Sequence, residues 1–347
     1  MAAITTPVTE IVLPAQVEPD GLRVRTNDLP APADGQVVMR MEATGVSFAE
    51  QQMRRGKYYD QPPFPFVPGY DLVGTVTATG PRVDAALVGR RFAAITKTGA
   101  WASHVLVDAT DLMPIPVEAD PAAAETVIVN GVTAWQMLHR VAGVRRGQTV
   151  VVLGANGGVG STLVQLARHA GLAVIGTGSP RHHDLIRELG ATPLDYHAPD
   201  LYDRLRALAP DGVDAVFDHV GGAAIVKSWR LLRRGGTLVS YGSAATKNEA
   251  GSSQLPVLKL FARLFVWNAL PNGKGAHFYN LWAGKRRDRK VWQQRMGDDL
   301  NEVLRLVVDG TLVPQIAATF ALGDAAAALE LAESRTVAGK VVILPQV

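Results

Sequence analysis

The stretch Thr149–Gly171 reads TVVVLGANGGVGSTLVQLARHAG and decides the fold of the chain. Its residues up to Leu153 are apolar and mostly β-branched, which is typical of a strand buried on both faces. The residues that follow, Gly154 to Gly160, fit the spacing G-x-x-G-x-x-G, a variant of the dinucleotide-binding pattern. In that pattern the first glycine allows a tight turn, the second lets the backbone approach a pyrophosphate, and the third permits close packing of helix on strand.

A helix is predicted directly after the glycines, because apolar residues recur at helical spacing from Val159 to Ala170. Its free N–H groups and positive dipole end would point at a phosphate. A glycine triplet also occurs in plain structural turns, but a second strand at Ala173–Thr177 completes the strand–loop–helix–strand order and favours a nucleotide site. The predicted phosphate-binding residues are Gly154, Asn156, Gly157, Gly158, Val159 and Gly160.

Composition narrows the class of protein. The chain has 347 residues, of which 47% are hydrophobic and 19% charged, and this is enough apolar material for packed cores. It contains no cysteine, so disulfides, thiolate nucleophiles and cysteine zinc sites are excluded. The formal net charge is only +3, and the basic run Lys285–Lys290 has no interleaved aromatic residue. We interpret that run as a solvated helix face and expect no nucleic-acid partner.

No targeting or membrane segment is expected. The amino terminus lacks a basic stretch followed by an apolar run, and Lys259, Arg263 and Asn268 interrupt the apolar stretch Val257–Leu270. We therefore expect a cytoplasmic protein without a membrane partner.

The order of elements suggests two domains. Residues up to about 125 carry short, partly alternating runs broken by Pro and Gly, which are typical of β structure. From there strands alternate with helices, as in a doubly wound parallel sheet. The tail returns to β character at Lys340–Leu344, and we expect it to rejoin the first domain. The strands predicted for the sheet are 149–153, 173–177, 213–217 and 236–241, and the later helices are 184–189, 201–208, 300–307 and 323–332.

Several motifs along nearly the whole chain carry a family resemblance. They are GVSFAE (45–50), RGKY (55–58), FVPG (66–69), NGVTA (130–134), the glycine loop, DY (195–196), DHVGG (218–222) and AGKVV (338–342). With them the chain resembles the medium-chain dehydrogenase/reductase superfamily, and within it the zinc-free, zeta-crystallin-like quinone oxidoreductases and enoyl reductases. The resemblance implies an α/β fold: a GroES-like β-rich domain (1–125 and 321–347) and a Rossmann doubly wound parallel-sheet domain (126–320), with the cofactor in the cleft between them.

The resemblance also bears on zinc. Zinc alcohol dehydrogenases of this superfamily have a cysteine in the segment that here reads GVSFAE and a His-Glu pair after the glycine that here is Gly69. This chain has Ser47, Tyr70 and Asp71 at those positions. We therefore expect no metal.

The residues at the end of the second strand distinguish NAD from NADP, and an NAD enzyme usually has an acidic residue there. This chain instead has Ser179 and Arg181 there, and a hydroxyl with a planar guanidinium suits a 2′-phosphate. The resemblance implies a later tyrosine, which matches Tyr196. We therefore predict NADPH. The alternative is that Ser179 caps a helix with Pro180 at its first position, and both roles are compatible.

The resemblance implies further site residues. Tyr58 is the candidate proton donor or substrate-orienting hydroxyl, with packing against Pro62 or Pro63 as the alternative. Ser47 stands where many relatives have an asparagine near the nicotinamide ribose. Asn130 and Thr133 are expected near the nicotinamide, or else cap a helix N-terminus. Asp218 either contacts the cofactor or is only a cap. The remaining candidates, at the carboxyl ends of sheet strands, are Val220, Gly242 and Ser243.

These residues predict an NADPH-dependent, zinc-independent oxidoreductase that transfers hydride to an activated C=C bond (enone or enal) or to a quinone. The substrate is a small molecule and is expected to be apolar. The alternatives are an NADPH-binding protein with a structural or regulatory role and no turnover, and alcohol dehydrogenase-type carbonyl reduction. A homodimer is expected, because Gly236–Gly242 would form an unpaired sheet edge.

Overall fold

A computed structural model of the chain describes residues 6–242 and 254–345, and two compact units can be distinguished. The β-rich unit comprises residues 1–132 and 284–347, and the parallel-sheet unit comprises residues 133–283. The strands are β1 (Thr6–Val12), β2 (Arg23–Leu29), β3 (Gln36–Val46), β4 (Asp71–Thr79), β5 (Arg91–Ile95), β6 (His104–Asp108), β7 (Met113–Pro114), β8 (Thr149–Val152), β9 (Ala173–Gly178), β10 (Thr192–Asp195), β11 (Val213–Asp218), β12 (Leu232–Ser240), β13 (Gly275–Phe278), β14 (Ile316–Ala321) and β15 (Lys340–Leu344).

The α-helices lie between these strands in the order of the chain. They are α1 (Phe48–Arg54), α2 (Pro121–Trp135), α3 (Gly158–His169), α4 (His183–Glu188), α5 (Leu201–Leu208), α6 (Ile225–Leu231), α7 (Gln254–Ala269), α8 (Arg289–Val308) and α9 (Ala325–Glu333). A π-helical stretch, Gln136–Ala142, follows α2 directly and ends at Gly143 in a left-handed conformation with φ +59°. None of the described helices is both long and apolar enough to cross a bilayer.

The β-rich unit is organised around β3. Its sheet has the order β14-β15-β3-β4-β5-β7, with β6 also paired to β3, while β1 and β2 form a separate antiparallel ribbon. The tail rejoins this sheet as expected, because β15 runs antiparallel to β3 with Val341 opposite Val46. Trp101 lies fully buried in the core of the unit, and its indole N–H donates to the carbonyl oxygen of Gly45.

The parallel-sheet unit confirms the predicted doubly wound architecture. Its six described strands have the order β10-β9-β8-β11-β12-β13, and every neighbouring pair is parallel. β8 is central, with Val151 opposite both Ile175 and Val216. The apolar face of α3 is buried at Leu163 and Leu166, as helical spacing predicted. All carboxyl ends of these strands consequently lie at one edge of the sheet.

Two expectations about the edges of the elements are wrong. The strand predicted to end the sheet is covered, because β12 pairs with β13 along Thr237 to Ser240. The sequence of β13 does not indicate a strand, because its apolar run is very short and His277 interrupts it. The basic run at 285–290 is also not one solvated helix face: α8 begins only at Arg289, whose guanidinium pairs with Asp108 at 2.6 Å and with Asp111 at 2.9 Å.

The division into units differs from the predicted domain boundaries at 125 and 320. Helix α8, expected in the nucleotide domain, packs in the β-rich unit. A Cβ at Gly131 of α2 would lie 2.7 Å from a methyl carbon of Val303, which shows how closely the two helices approach. Packing between α2 and α8, rather than the order of elements along the chain, sets this division.

Candidate functional site

The loop between β8 and α3 has the shape that its glycines predict. Gly154 has φ +68°, and a Cβ there would lie 2.4 Å from the imidazole of His219. A Cβ at Gly160 would lie 2.1 Å from the carbonyl oxygen of Gly154, so helix α3 can approach the end of β8 only with glycine there. Both positions therefore need glycine for reasons that hold without a ligand.

Gly157 differs from these two glycines. An added Cβ would meet only the carbonyl oxygen of Gly154, at 3.5 Å, so space lies open above this residue. Gly157 is also the N-cap of α3, whose first N–H groups have no acceptor within the helix. Open space in front of free N–H groups is where an anionic phosphate fits. The local structure thus suits the predicted role of Gly157 and its neighbours Gly158 and Val159.

Hydrogen bonds join the strand ends around this loop into one surface. The amide of Gly154 donates to the Thr177 hydroxyl at 3.1 Å, and the amide of Ala155 donates to the Thr177 carbonyl at 2.8 Å. On the other side, the Tyr241 amide donates to the carbonyl oxygen of Asp218 at 3.0 Å. We call this surface, formed by residues 154–160, 177–182, 218–221 and 241–242, the glycine edge.

The candidates for cofactor choice lie together at the end of β9. The side-chain oxygen of Asn156 lies 3.3 Å from the position of a Cβ on Gly178, and the Tyr196 amide donates to the Gly178 carbonyl at 3.3 Å. Ser179 stands at the N-cap of a 3₁₀ turn with Pro180 next, yet its hydroxyl makes no capping bond. Arg181 and Tyr196 are exposed. A hydroxyl and a cation are thus available at the position where a 2′-phosphate would have to be recognised.

Asp218 has the geometry of a cap. Its Oδ1 accepts the amides of Val220 and Gly221, both at 2.8 Å, and its Oδ2 accepts the Ser228 hydroxyl at 2.7 Å. The carboxylate is fully buried. It therefore shapes the turn that brings Val220 to the glycine edge, which is the structural alternative noted for this residue.

His219 belongs to the glycine edge, although sequence reasoning did not select it. Its Nδ1 lies 3.0 Å from the carbonyl oxygen of Leu153, so Nδ1 carries the proton and Nε2 is left as an acceptor in the neutral ring. Burial lowers the pKa of His219, and the Asp218 charge offsets part of that shift. A Cβ on Gly242 would lie 2.7 Å from the His219 carbonyl oxygen, which explains the glycine there. Ser243, the last of these candidates, lies outside the described residues.

In the β-rich unit, Tyr58 is buried and its hydroxyl lies 2.9 Å from that of Tyr70. Burial, and next the neighbouring Tyr70 and Tyr59, raises the pKa of Tyr58, so its hydroxyl stays protonated at neutral pH. The alternative of simple packing on Pro62 or Pro63 does not account for the contact between the two hydroxyls. Tyr70 was noted from the sequence only as a replaced zinc ligand, and its contact with Tyr58 was not foreseen.

Ser47 caps α1 in a capping box with Glu50. The Ala49 amide donates to the Ser47 hydroxyl at 3.1 Å, and the Ser47 amide donates to the Glu50 carboxylate at 2.9 Å. The other Glu50 oxygen accepts the amide of Tyr70 at 2.7 Å. Burial raises the pKa of Glu50, although the Ser47 hydroxyl partly offsets that effect. The GVSFAE segment is therefore tied directly to the segment that carries Tyr70.

A buried ionic cluster is the largest feature that sequence reasoning missed. The Lys340 ammonium lies 3.1 Å from an Asp71 oxygen and 2.5 Å from a Glu125 oxygen, and all three side chains are buried. We call these three residues the lysine cluster. Burial lowers the pKa of Lys340, but the two carboxylates outweigh it and raise that pKa above its usual value. Gly45 borders the cluster, because a Cβ there would lie 2.4 Å from the Lys340 side chain.

Asn130 and Thr133 are not helix caps. Helix α2 begins at Pro121, so both residues lie well inside it, and both side chains are buried. The capping alternative is wrong because the helix starts at the proline after Asp120, rather than at the NGVTA motif. Their proposed proximity to a nicotinamide stays a prediction.

The residues at the zinc-ligand positions of the superfamily are engaged in other contacts. Ser47 caps α1, the Tyr70 hydroxyl contacts Tyr58, and Asp71 pairs with Lys340. Among residues 6–242 and 254–345, no group of three His, Cys, Asp or Glu side chains has the arrangement of a metal site.

Comparison with known proteins supports the family resemblance. A model of the alcohol dehydrogenase GroES-like domain matches residues 33–117, and a model of the zinc-binding dehydrogenase family matches residues 189–343. A probable quinone oxidoreductase of Schizosaccharomyces pombe is 29% identical over 331 residues, which cover 93% of each chain. The structure of mycobacterial Rv1454c complexed with NADPH has 29% identity and a TM-score of 0.82, covering 97% of this chain and 100% of that one.

Other relatives have names that state no reaction. The synaptic vesicle membrane protein VAT-1 homolog of Rattus norvegicus is 38% identical over 219 residues, covering 62% of this chain. The match spans little more than half, 54%, of that relative. The two domain models, the parallel sheet with its glycine loop and the full-length structural similarity agree with one another. The chain belongs to the medium-chain dehydrogenase/reductase superfamily and is a quinone oxidoreductase-like member of it.

Proposed function

We propose that the chain is an NADPH-dependent reductase of activated C=C bonds, as in enones and enals, or of quinones. The glycine edge is the observation that carries this proposal. It offers a helix N-terminus with open space above Gly157, and it places the exposed Arg181 near the end of β9. The NADPH complex of a relative that is 29% identical supports the same cofactor.

Preference for NADPH follows from the side chains at the end of β9. Segment 177–183 contains no acidic residue that would accept hydrogen bonds from a ribose diol. The Ser179 hydroxyl makes no capping bond, and the Arg181 guanidinium offers a planar, charged donor. Together with Tyr196 these groups suit a dianionic 2′-phosphate better than a hydroxyl.

Tyr58 is the proposed donor to the substrate. When bound, NADPH supplies the hydride that adds to the β-carbon of an enone or to a quinone. Negative charge then develops on the substrate oxygen, and a neutral phenol can stabilise it by donating a hydrogen bond. The raised pKa of Tyr58 keeps that proton in place at neutral pH. Water then supplies the one proton that completes the product.

The reaction is proposed to need no metal. The three side chains at the zinc-ligand positions already cap a helix, contact a tyrosine hydroxyl and pair with a lysine. Activated acceptors suit such a site, because their charge develops on an oxygen that hydrogen-bond donors can reach.

A substrate panel tests the proposed function. NADPH consumption is measured with enones, enals and quinones, before and after dialysis against a chelator. We expect turnover with at least one class and no loss after dialysis. Tight NADPH binding without turnover of any panel member would overturn the proposal. It would favour instead an NADPH-binding protein without turnover, a role compatible with the relatives whose names state no reaction.

We propose that the homodimer forms through β13 rather than through β12. With β12 covered, β13 is the end of the described sheet, and the exposed side chains of Phe261 and Phe265 on α7 lie in the same unit. An open strand beside exposed aromatic residues favours pairing with a second copy. Light scattering over a wide concentration range should give twice the mass of the chain, and Phe265→Glu should lower it. A monomer at every concentration would rule out the dimer.

A further inference from the structure

Tyr58 and Tyr70 form a pair of buried tyrosines joined through their hydroxyl groups. The two oxygen atoms are 2.9 Å apart, and the rings meet edge to face with centroids 6.4 Å apart. Tyr58 is 9% exposed and Tyr70 is 6% exposed, so little water competes for this hydrogen bond. The contact therefore constrains the direction in which each hydroxyl can donate.

The backbone of Tyr70 is held from two sides. Its amide donates to Glu50 at 2.7 Å, and its carbonyl oxygen accepts the amides of Thr96 at 2.9 Å and Lys97 at 3.0 Å. The next residue, Asp71, begins β4 and pairs with Lys340. Hydrogen bonds thus hold Tyr70 in place in the β-rich unit, and Tyr58 on the preceding loop contacts it through its hydroxyl group.

The polarity of the hydrogen bond decides what Tyr58 can do. If Tyr58 donates to Tyr70, its only proton is used and it cannot donate to a substrate. If Tyr70 donates to Tyr58, the Tyr58 proton is not used in this contact, and a phenol that accepts a hydrogen bond becomes a stronger donor. The second arrangement alone is compatible with a Tyr58 that stabilises a substrate oxyanion.

We propose that Tyr70 is a positioning residue, which donates its hydroxyl proton to the Tyr58 oxygen and so directs the Tyr58 proton toward the substrate oxygen. This inference rests on the proposed reductase function. Neither tyrosine loses its proton in the step: the hydride comes from NADPH, the oxyanion accepts a hydrogen bond from Tyr58, and water supplies the proton of the product.

Tyr70→Phe tests the inference, because it removes the hydroxyl and keeps the ring. We expect kcat to fall about three- to tenfold, as for the loss of one hydrogen bond. The Kd for NADPH should stay at the wild-type value, which separates positioning from structural damage.

A double variant shows whether Tyr70 acts through Tyr58. Tyr58→Phe alone should lower kcat more than Tyr70→Phe, and Tyr58→Phe/Tyr70→Phe should be no slower than Tyr58→Phe. If the two effects multiply instead, Tyr70 acts independently and the inference is wrong.

The other outcomes separate this inference from the proposed function. Wild-type kcat in Tyr70→Phe, with kcat lowered in Tyr58→Phe, overturns the inference and leaves the function standing. Wild-type kcat in both variants overturns the roles of both tyrosines and still leaves the reductase. No turnover by the wild-type protein overturns the function and the inference with it.

Discussion

The glycine edge and the lysine cluster are assembled in different ways. At the glycine edge the decisive features are backbone features: the positive φ of Gly154, the close approach at Gly160 and the open space at Gly157. The lysine cluster consists only of side chains, and Lys340 reaches Asp71 across 269 positions of sequence. A site formed by backbone geometry, such as the glycine edge, can be recognised from a local sequence pattern. The lysine cluster cannot, because its three residues are far apart in the sequence and no local pattern marks them.

The difference extends to what each region can tolerate. Open space above Gly157 means that a substitution at this position of the glycine edge can affect ligand binding without affecting folding. The three side chains of the lysine cluster are buried and paired with one another, so a change there should act on stability first. Substitutions in the two regions should therefore separate binding from stability.

Lys340→Met should have the largest effect. It removes the ammonium that contacts Asp71 and Glu125, and leaving buried carboxylates without a cation typically costs about 3–5 kcal/mol. The free energy of unfolding, measured by urea denaturation, should fall by that amount. Lys290→Met, an exposed lysine on α8, is the control and should change it by less than about 0.5 kcal/mol. A loss below about 1 kcal/mol for Lys340→Met would show that the cluster does not stabilise the fold.

Gly157→Val should impair cofactor binding rather than folding. Its side chain would occupy the space where a phosphate meets the N-terminus of α3, and the loss of two charge-assisted bonds corresponds to about 3 kcal/mol. The Kd for NADPH, followed by fluorescence, should rise accordingly while the Tm changes little. Gly297→Val on α8, where an added Cβ meets nothing within 4 Å, is the control. Unchanged NADPH binding by Gly157→Val would remove the phosphate from this position.

Arg181→Ala should change the choice of cofactor. Losing a charged hydrogen bond to the 2′-phosphate should weaken NADPH binding by about 1.5–3 kcal/mol and leave NADH binding nearly unchanged. Arg187→Ala is the control, because Arg187 lies on the neighbouring α4 and pairs with Asp184. The measurement is the ratio of the two Kd values. Equal losses for both cofactors would count against Arg181 as the 2′-phosphate ligand.

The smallest effect concerns pH. Burial raises the pKa of Glu125 well above 4.5, Lys340 offsets part of the shift, and Asp71 adds to it. Between pH 4.5 and the raised pKa of the folded state, the folded protein thus keeps a proton on Glu125 that the unfolded chain releases. The free energy of unfolding falls as pH rises through this range, and Glu125 alone contributes at most about 1.4 kcal/mol per pH unit.

Glu125→Gln mimics the protonated carboxyl and should reduce this slope. Some slope should remain, because the pKa of Glu50 is also raised. Urea denaturation at several pH values from 4.5 upward measures it. The same slope in Glu125→Gln and in the wild-type protein would show that Glu125 is ionised in the folded state.

Sequence patterns predicted the parallel sheet, the helix after the glycines and the return of the tail to the first domain, because each depends on local residue patterns such as hydrophobic periodicity, glycine spacing or β character. They did not predict β13, where His277 sits in a run too short for a periodic signal. Nor did they reveal the partners of Tyr58 and Asp71. Which side chains meet Tyr70 or Lys340 depends on how β3, β4 and α2 pack, and no local pattern encodes that.

Hydride transfer with labelled cofactor tests the central claim most directly. The chain is incubated with NADPH that carries deuterium on the transferable position of C4, together with an enone that it turns over, and the product is examined by NMR. The proposed reaction predicts deuterium on the β-carbon of a saturated ketone. Deuterium on the carbonyl carbon of an allylic alcohol would instead show carbonyl reduction of the alcohol dehydrogenase type and contradict the proposal.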